Sequence, residues 1–353
     1  MLKTKIIGTG AYIPSRTIRN KDFITNSFFD DKNSALKQAN SIIIEKFEQI
    51  TGIKERRYAD ISISSSGMGV IAAHEAIVNA GIDKEEIDCI IVAHNYGDIT
   101  SHGDSRQMVP AVASKIKHQL GIKNPYCIPY DLIFGCPGWL QGFIQADLLI
   151  KTGEAKTCLV IGAETLSRVL DESDRDSMIF SDGAGAVVLQ ASQEDVGLLS
   201  KAVRSDTNEE LEYIYADGSN CGEIKECKFI KMKGRKVYEY ALTHVPTAMK
   251  DCLDKSGYKA SDLKMVLLHQ ANTKMDEAII ERFYNLCGVD VLPSQIMPMN
   301  IELLGNSSVA TIPTLLHQVL DNKLDGYKLE RGDIILLASV GAGMNINAIT
   351  YKY

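Results

Sequence analysis

Two stretches of the chain repeat one order of apolar and polar positions. Residues 81–94 (GIDKEEIDCIIVAH) and 257–270 (GYKASDLKMVLLHQ) each begin with a glycine, continue through polar residues and reach a short apolar run. A helical pattern precedes each glycine, at 68–80 and at 237–256, so each glycine is expected to cap a helix. The apolar runs have the length of buried strands. Both copies therefore predict a helix that leads into a strand.

A second pair of similar segments follows in the same order. Residues 135–164 and 305–343 each read as a turn, a helix, a stop and a strand. Alternating strands and helices are typical of parallel βαβ units, so the chain predicts an α/β fold of two duplicated halves, residues 1–195 and 196–353. No low-complexity linker separates the halves, and we expect one body. The stretch 200–236 lacks a regular period and is expected to be an insertion or an irregular rim.

Composition excludes several classes of protein. The 353 residues are 45% hydrophobic and 24% charged, and the net charge of −7 argues against a general nucleic-acid binder. No apolar stretch reaches the roughly 18 residues of a membrane helix. The opening MLKTKIIGTGAYIP predicts a strand and then a glycine turn, not a signal peptide or a nicotinamide site. The eight cysteines form no C-x-x-C pair and the histidines have no metal spacing, so we predict a reduced, cytoplasmic protein without a metal.

Cys136 lies between a strand-like run, residues 127–134, and a helical run. Pro137 suits the first helical position, and apolar residues recur at helical spacing from Leu140 to Leu148. A thiolate at a helix start faces unpaired N–H groups and the positive end of the helix dipole, which lower the thiol pKa and favour a nucleophile. The alternative is a buried structural cysteine at a tight turn, and this stretch alone does not decide between the two.

The second half carries polar motifs at matching places. HQAN (269–272) follows a strand, and GNSS (305–308) stands at a helix start equivalent to that of Cys136. Sites in open α/β sheets form at the carboxyl ends of strands. Packing of the halves about a pseudo-twofold axis would bring His269 and Asn306 to Cys136. A lone histidine is usually structural, but the three residues together favour a catalytic site.

These motifs, in their order and spacing, resemble the β-ketoacyl-ACP synthase III family of the thiolase superfamily. The resemblance implies a five-layered, thiolase-like αβαβα fold, a homodimer and a catalytic site of Cys136, His269 and Asn306. It rests on TGIKERRYA (51–59), the turn at Cys136, SDGAGAVVL (181–189), HQAN (269–272), GNSSVATIP (305–313) and SVGAGM (339–344).

The resemblance also implies a reaction. Cys136 would take an acyl group from acyl-CoA or acyl-ACP, with the backbone N–H groups of Cys136 and Ala342 holding the oxyanion. His269 and Asn306 would stabilise the enolate that forms when malonyl-ACP loses CO2, and the product would be a β-ketoacyl thioester. This chemistry needs no metal or redox cofactor. The Cys-His-Asn set favours initiating synthases or type III polyketide synthases, because a thiolase would have a second cysteine in SVGAGMNIN and an elongating synthase a second histidine.

The chain departs from the family where the family holds the adenine of coenzyme A. Lys46 and Ile50 stand in the places of a tryptophan and an arginine, whereas Arg175 matches an arginine that contacts the nucleotide. The resemblance leaves Lys46, Arg175 and Asn272 as the residues expected to bind coenzyme A or another substrate. The loop 95–110 is longer than usual. Both departures favour an accessory synthase of a specialised lipid or polyketide pathway, with a carrier-bound acyl donor.

The basic stretch 225–236 (KECKFIKMKGRK) has two interpretations. It is either a solvated surface or a docking patch for an acidic acyl carrier protein. The residues expected to dock the carrier protein are Lys231, Lys233, Arg235 and Lys236.

Two other functions stay open on the sequence. One is an acyltransferase that passes the acyl group from Cys136 to an alcohol or amine, against which Asn306 argues because transfer alone needs no enolate-stabilising amide. The other is a non-catalytic subunit that binds carrier protein, against which the intact set of Cys136, His269 and Asn306 argues.

Overall fold

The computed structural model describes residues 2–99, 106–222 and 227–353. The α-helices are α1 (Asn40–Thr51), α2 (Ser65–Ala80), α3 (Val112–Leu120), α4 (Gly138–Thr152), α5 (Gly234–Ser256), α6 (Thr273–Leu286), α7 (Ile301–Leu304) and α8 (Thr311–Leu320). The strands are β1 (Lys3–Tyr12), β2 (Arg16–Arg19), β3 (Glu55–Tyr58), β4 (Cys89–Ala93), β5 (Asp98–Ile99), β6 (Arg106–Gln107), β7 (Ile128–Leu132), β8 (Thr157–Thr165), β9 (Asp182–Ser192), β10 (Gly197–Ser205), β11 (Ile214–Asp217), β12 (Phe229–Met232), β13 (Leu263–Leu268), β14 (Ile334–Gly341) and β15 (Asn345–Lys352).

The repeated pattern of helix, glycine and strand is confirmed in both halves. Helix α2 ends at Gly81 and α5 ends at Gly257, and both glycines have a left-handed backbone, with φ of 65° and 79°. A residue with a Cβ is strained in that conformation, which explains the glycine at each cap. The buried strands β4 and β13 follow at the predicted places.

The two larger sheets are mixed rather than purely parallel. The first has the order β1-β9-β8-β4-β7 and the second the order β10-β15-β14-β13. Strand β4 runs parallel to β7 and β8, and β13 runs parallel to β14, as βαβ units require. The remaining pairs are antiparallel. The strands of the first sheet all precede residue 195, and those of the second all follow it.

Apolar side chains join helices and sheets into five layers. Phe143 of α4 and Leu315 of α8 share one core with Ile91 of the first sheet and Leu337 of the second, so these helices lie between the sheets. Helices α2 and α3 cover the outer face of the first sheet, and α5 and α6 cover that of the second. Because Ile90 faces outwards where Ile91 faces inwards, β4 is apolar at both alternating positions. This is the expected αβαβα arrangement.

The glycines near the start of the chain do not form the expected turn. Gly8 and Gly10 lie inside β1, which runs on to Tyr12. A Cβ on Gly8 would lie 2.2 Å from the carbonyl oxygen of Ala76, and one on Gly10 would lie 2.2 Å from that of Ala72. The glycines therefore let α2 lie directly on the strand, a packing requirement that resembles a turn signal in the sequence.

The stretch 200–236 is more regular than predicted. Strand β10 continues to Ser205 against β15, and β11 pairs with β12 in an antiparallel ribbon. Within the described residues, no helix is long and apolar enough to cross a membrane.

Candidate active site

Cys136 stands between strand β7 and helix α4. Pro137 is the N-cap of α4 and the helix begins at Gly138, one residue later than predicted. Gly135 has a left-handed backbone with φ of 65°, and its carbonyl accepts a hydrogen bond from the N–H of Gly138 at 2.9 Å. This tight turn places Cys136, which as a whole residue is partly exposed, shortly after the end of a strand.

The glycine loop after β14 packs on the backbone of this turn. A Cβ on Gly341 would lie 2.4 Å from the backbone nitrogen of Cys136, and one on Gly135 would lie 2.7 Å from that of Ala342. Only glycines allow such an approach. The structure thus brings together the two N–H groups that were expected to hold an oxyanion.

His269 follows β13 in the second half and is buried. Its N–H donates to the carbonyl of Ala338 at 2.9 Å, which fixes the backbone beside β14. Burial lowers the pKa of His269 to about 4, so the ring is neutral at pH 7. Its Nδ1 is buried and has no hydrogen-bond partner in the described chain. A neutral imidazole has one donor and one acceptor nitrogen, so the ring can donate one hydrogen bond to a substrate.

Asn306 is held in a bridge between the two halves. Its N–H donates to the carbonyl of Ile179 at 3.0 Å, and its carbonyl accepts from the N–H of Ser181 at 2.8 Å. The side-chain oxygen accepts the N–H of Ser308 at 2.8 Å. Because that oxygen is engaged, the amide Nδ2 is the group left to donate elsewhere. A 3-10 turn (Ser308–Ala310) separates Asn306 from α8, so it does not stand at a helix start as expected.

One cavity of about 660 Å³ is lined by Cys136, His269 and Asn306. His269 and Asn306 are buried, whereas other lining residues, such as Lys46 and Arg235, are exposed. Exposed lining residues stand on α1, on the β11–β12 ribbon and at the start of α5, and we call these elements the mouth. The mouth residues are Ile43, Lys46, Phe47 and Ile50 of α1, Ile214, Tyr215, Ala216, Ile230 and Met232 of the ribbon, and Arg235, Val237 and Tyr238 of α5.

The three residues expected to bind coenzyme A or another substrate also line the cavity. Lys46 is exposed on α1, and more than half of the Arg175 side chain is exposed beside Asp176. Asn272 has a structural role as well, because its side chain caps α6 by accepting the N–H of Met275 at 3.1 Å.

Lys231 cannot belong to the expected docking patch. Its side chain is buried, and Nζ forms ion pairs with Asp171 and with Asp174, the latter at 3.1 Å. Alternation along β12 turns this lysine inwards, where it anchors the ribbon.

The other three predicted docking residues are exposed. Lys233 lies over the ring of Tyr215, 5.8 Å from its centroid, and Arg235 pairs with Glu239 at 2.8 Å. Lys225 of the basic stretch and residues 100–105 of the loop 95–110 lie outside the described residues. In the described chain, no group of three or more His, Cys, Asp or Glu residues could hold a metal ion.

Sequence reasoning missed a chain of hydrogen bonds behind the thiol. The Ser308 hydroxyl donates to Cys136 Sγ at 3.3 Å, and Asn95 Nδ2 donates to Ser308 Oγ at 3.1 Å. Asn95 also donates to Glu164 Oε2 from its backbone N–H at 2.8 Å and from Nδ2 at 2.7 Å. Asn95 and Glu164 stand where β4 and β8 end, and that position was the signal that could have identified them.

The thiol pKa differs in direction from the prediction. The surrounding protein excludes water and raises the pKa of Cys136 to about 11, while the Ser308 hydrogen bond lowers it and the charge of Glu164 raises it further. The exclusion of water therefore raises the thiol pKa by more than the helix start lowers it. Burial also raises the pKa of Glu164 to about 7. Cys136 is a neutral thiol at rest, and thiolate formation has to be assisted.

Comparison with known proteins gives consistent matches. Residues 130–207 match the family described as 3-oxoacyl-[acyl-carrier-protein (ACP)] synthase III, and residues 253–353 match the C-terminal part of the same family. The chain is 33% identical over 351 residues to the β-ketoacyl-[acyl-carrier-protein] synthase III of Aquifex aeolicus, covering 99% of both chains. It is 35% identical over 361 residues to synthase III 1 of Vibrio vulnificus, again covering 99% of both.

The fold agrees with a solved structure of one of these relatives. The crystal structure of 3-oxoacyl-[acyl-carrier-protein] synthase III from Aquifex aeolicus superimposes with a TM-score of 0.82 at 32% identity. The match covers 99% of this chain and 100% of the other. Sequence and fold therefore agree over the whole chain.

Proposed function

Because the chain belongs to the β-ketoacyl-[acyl-carrier-protein] synthase III family, we infer that it is a condensing acyltransferase of fatty-acid biosynthesis, and we propose that Cys136, His269 and Asn306 form its catalytic site. The observation that carries the proposal is the single cavity that all three side chains line, although they come from different halves of the chain. Every step below uses groups that line this cavity.

The first step is acyl transfer to Cys136. The sulfur attacks the thioester carbonyl, a C–S bond forms, and the negative oxygen is held by the N–H groups of Cys136 and Ala342. The bond to the carrier sulfur then breaks, and the proton lost by the Cys136 thiol ends on the departing carrier thiol. The close packing of Gly341 on Cys136 supports this step because it fixes both donors before substrate arrives.

The second step is condensation with malonyl-ACP. The thioester oxygen of malonyl-ACP accepts hydrogen bonds from the His269 ring and from Asn306 Nδ2. The bond to the carboxylate breaks, CO2 leaves, and its electron pair forms an enolate that these donors stabilise. The enolate carbon attacks the acyl carbonyl on Cys136, and the C–S bond breaks to release the thiolate. A neutral His269 and an amide with its oxygen already engaged suit this role.

Carrier protein and acyl thioesters are the proposed partners. Lys233, Arg235 and Lys236 are exposed beside the mouth and suit an acidic carrier protein. The apolar Ile50 on the opposite side gives no cation or aromatic ring to a nucleotide. These residues support the prediction that the acyl donor is bound to carrier protein. An accessory role in a specialised pathway also stays a prediction.

We also propose a homodimer formed through the first sheet. Strand β7 forms one edge of that sheet, and the apolar Ile128 on it is 58% exposed. An edge strand with an exposed apolar side chain can pair with a second copy of itself. The cytoplasmic location and the absence of a cofactor stay predictions from the sequence.

The decisive experiment is intact-protein mass spectrometry after incubation with matched acyl-CoA and acyl-ACP thioesters. Wild type should gain the mass of one acyl group, and Cys136→Ala should gain none. Cys287→Ala is the matched control, because Cys287 is also partly exposed but does not line the cavity. Acyl loading by a folded Cys136→Ala protein would overturn the proposed site.

A further inference from the structure

Ser308 is the residue at which the two catalytic groups of different halves are linked. Its hydroxyl donates to Cys136 Sγ at 3.3 Å, and its N–H donates to the side-chain oxygen of Asn306 at 2.8 Å. It is buried and has a left-handed backbone with φ of 55°, which is uncommon for a residue with a Cβ. Ser308 makes both contacts from this conformation.

The direction of the hydroxyl hydrogen follows from its neighbours. Ser308 Oγ accepts one hydrogen of Asn95 Nδ2, at 3.1 Å, so its own hydrogen is directed to another acceptor, the Cys136 sulfur. The second hydrogen of Asn95 Nδ2 goes to Glu164 Oε2, which also accepts the backbone N–H of Asn95. The carboxyl of Glu164 thereby orients the amide, and the amide orients the hydroxyl.

The chain of hydrogen bonds from Glu164 to Cys136 is unusual for a purely structural network because a buried carboxyl stands at its end. Glu164 is fully buried, and its Oε1 has no hydrogen-bond partner in the described chain. Burying a carboxyl with one unpaired oxygen costs stability, so packing alone gives no reason for a carboxyl at this position. Of the charged groups around it, His94 lowers the pKa of Glu164 and Asp182 raises it.

We propose that Ser308 is a catalytic residue that stabilises the Cys136 thiolate, and that Asn95 and Glu164 are positioning residues that fix the direction of its hydroxyl hydrogen. This inference rests on the proposed role of Cys136 as the nucleophile. A hydrogen bond to a charged sulfur is stronger than one to a neutral thiol, so the hydroxyl favours the charged form. The rival interpretation is that Ser308 only holds the loop around Asn306.

The test measures alkylation of Cys136 by iodoacetamide, read at that cysteine by peptide mass spectrometry, from about pH 6 to about pH 10. Ser308→Ala should slow alkylation about tenfold, the factor that one pKa unit gives, at every pH in this range, because the range lies below the thiol pKa. Ser308→Gly removes the hydroxyl and also relieves the left-handed backbone, so it should match Ser308→Ala. Ser307→Ala, the neighbouring hydroxyl deletion, should keep the wild-type profile.

A double-mutant cycle tests the positioning residues. Asn95→Ala should slow alkylation by less than Ser308→Ala, and the double variant should be no slower than Ser308→Ala, because Asn95 acts through the hydroxyl. Folding of each variant is checked by circular dichroism. An unchanged profile in both folded Ser308 variants would overturn the proposal, as would a further loss in the double variant.

A second readout separates this proposal from the rival interpretation and from the proposed function. Ser308→Ala keeps the backbone N–H that orients Asn306, so decarboxylation of malonyl-ACP without an acyl donor should stay near the wild-type rate. A parallel fall in decarboxylation would mean that Ser308 only holds the loop. Alkylation needs no substrate, so a failure of wild type to accept any acyl group would overturn the proposed function and leave the alkylation result standing.

Discussion

The two halves of the molecule prepare their catalytic groups in different ways. In the first half, burial raises the pKa of the Cys136 thiol to about 11, although this group has to become charged to react. In the second half, burial lowers the pKa of His269 to about 4, and a neutral ring is the form that the proposed reaction uses. The nucleophile therefore needs assistance from Ser308 and from backbone donors, whereas His269 and Asn306 need only to be held in place.

The two halves also differ at one edge of each sheet. Strand β13 forms one edge of the second sheet. The N–H of Val266 on it donates to the carbonyl of Ile296, so a later segment of the same chain covers that edge. Strand β7 ends the first sheet and leaves Ile128 exposed. This difference supports the proposal that a second copy would pair with the half that carries the nucleophile.

The largest effect is expected from loss of the nucleophile. Cys136→Ala should abolish acyl loading and condensation while the protein stays folded, because the backbone donors and the cavity remain. Mass spectrometry and a condensation assay measure the two activities. Turnover at the wild-type rate by the folded variant would show that Cys136 is not the nucleophile and would contradict the proposed roles of the two halves.

The next largest effect is expected in the second half. His269→Ala and Asn306→Ala should each lower malonyl-ACP decarboxylation ~10²–10³-fold, the usual cost of one preorganised oxyanion donor. His118→Ala, an exposed histidine on α3, is the control and should be unaffected. Decarboxylation at nearly the wild-type rate in either variant would show that its residue does not stabilise the enolate.

From the residues of the mouth we predict that the enzyme prefers an acyl group on the carrier protein to the same acyl group on coenzyme A. A stacked aromatic platform contributes ~1–3 kcal/mol to holding a base, and the mouth has Lys46 and Ile50 where the family has its adenine clamp. For one acyl group, kcat/KM should be about tenfold higher with the carrier protein than with coenzyme A, and raised salt should lower kcat/KM for the carrier form.

A charge deletion at the mouth sharpens this test. Arg235→Gln should lower kcat/KM for the carrier form alone, because the exposed guanidinium is proposed to meet the acidic carrier. Lys250→Gln, at the far end of α5, is the matched control. A preference for coenzyme A, with no salt effect on the carrier form, would return the enzyme to the ordinary initiating class.

The smallest effect concerns a buried carboxyl of the second half that does not line the cavity. Both oxygens of Asp276 lack a hydrogen-bond partner in the described chain, and burial raises its pKa well above the usual range. The native state therefore binds this proton more tightly than the unfolded chain, and wild type loses stability as the pH rises above the ordinary carboxyl pKa.

Asp276→Asn avoids that loss because the amide does not ionise. The variant should melt a few degrees higher than wild type at pH 8, and by less at about pH 4, with activity unchanged. Asp251→Asn, an exposed carboxylate on α5, is the control and should show no pH-dependent gain. Thermal unfolding at both pH values measures this, and equal melting temperatures of Asp276→Asn and wild type at pH 8 would contradict it.

Most of the fold could be predicted from local patterns in the sequence. The glycines at 81 and 257 end helices because few other residues adopt their backbone, and the repeat around them marks both halves. The same repeat placed His269 directly after a strand, as the structure has it, whereas Asn306 lies before a 3-10 turn and not at the predicted helix start. Periodicity and turn chemistry were enough for the helix ends and for His269 because these features depend on neighbouring residues.

The features that the sequence missed depend on distant partners. Lys231 reads as part of a basic surface until the fold brings Asp171, 60 residues earlier in the chain, to its ammonium group. The Ser308 hydroxyl and Cys136 are 172 positions apart, and Asn95 and Ser308 are 213 apart. The thiol pKa depends on burial, which no local pattern records.

The most direct test of the division of roles follows the acyl group on Cys136 in Asn306→Ala. Enzyme is first given an acyl donor and then malonyl-ACP, and the mass of the intact protein is followed with time. The account predicts that wild type loses its acyl group on addition of malonyl-ACP, whereas Asn306→Ala acquires the same acyl group and retains it. Loss of the acyl group at the wild-type rate in Asn306→Ala, or failure of that variant to acquire it, would contradict the assignment of loading to Cys136 and of condensation to His269 and Asn306.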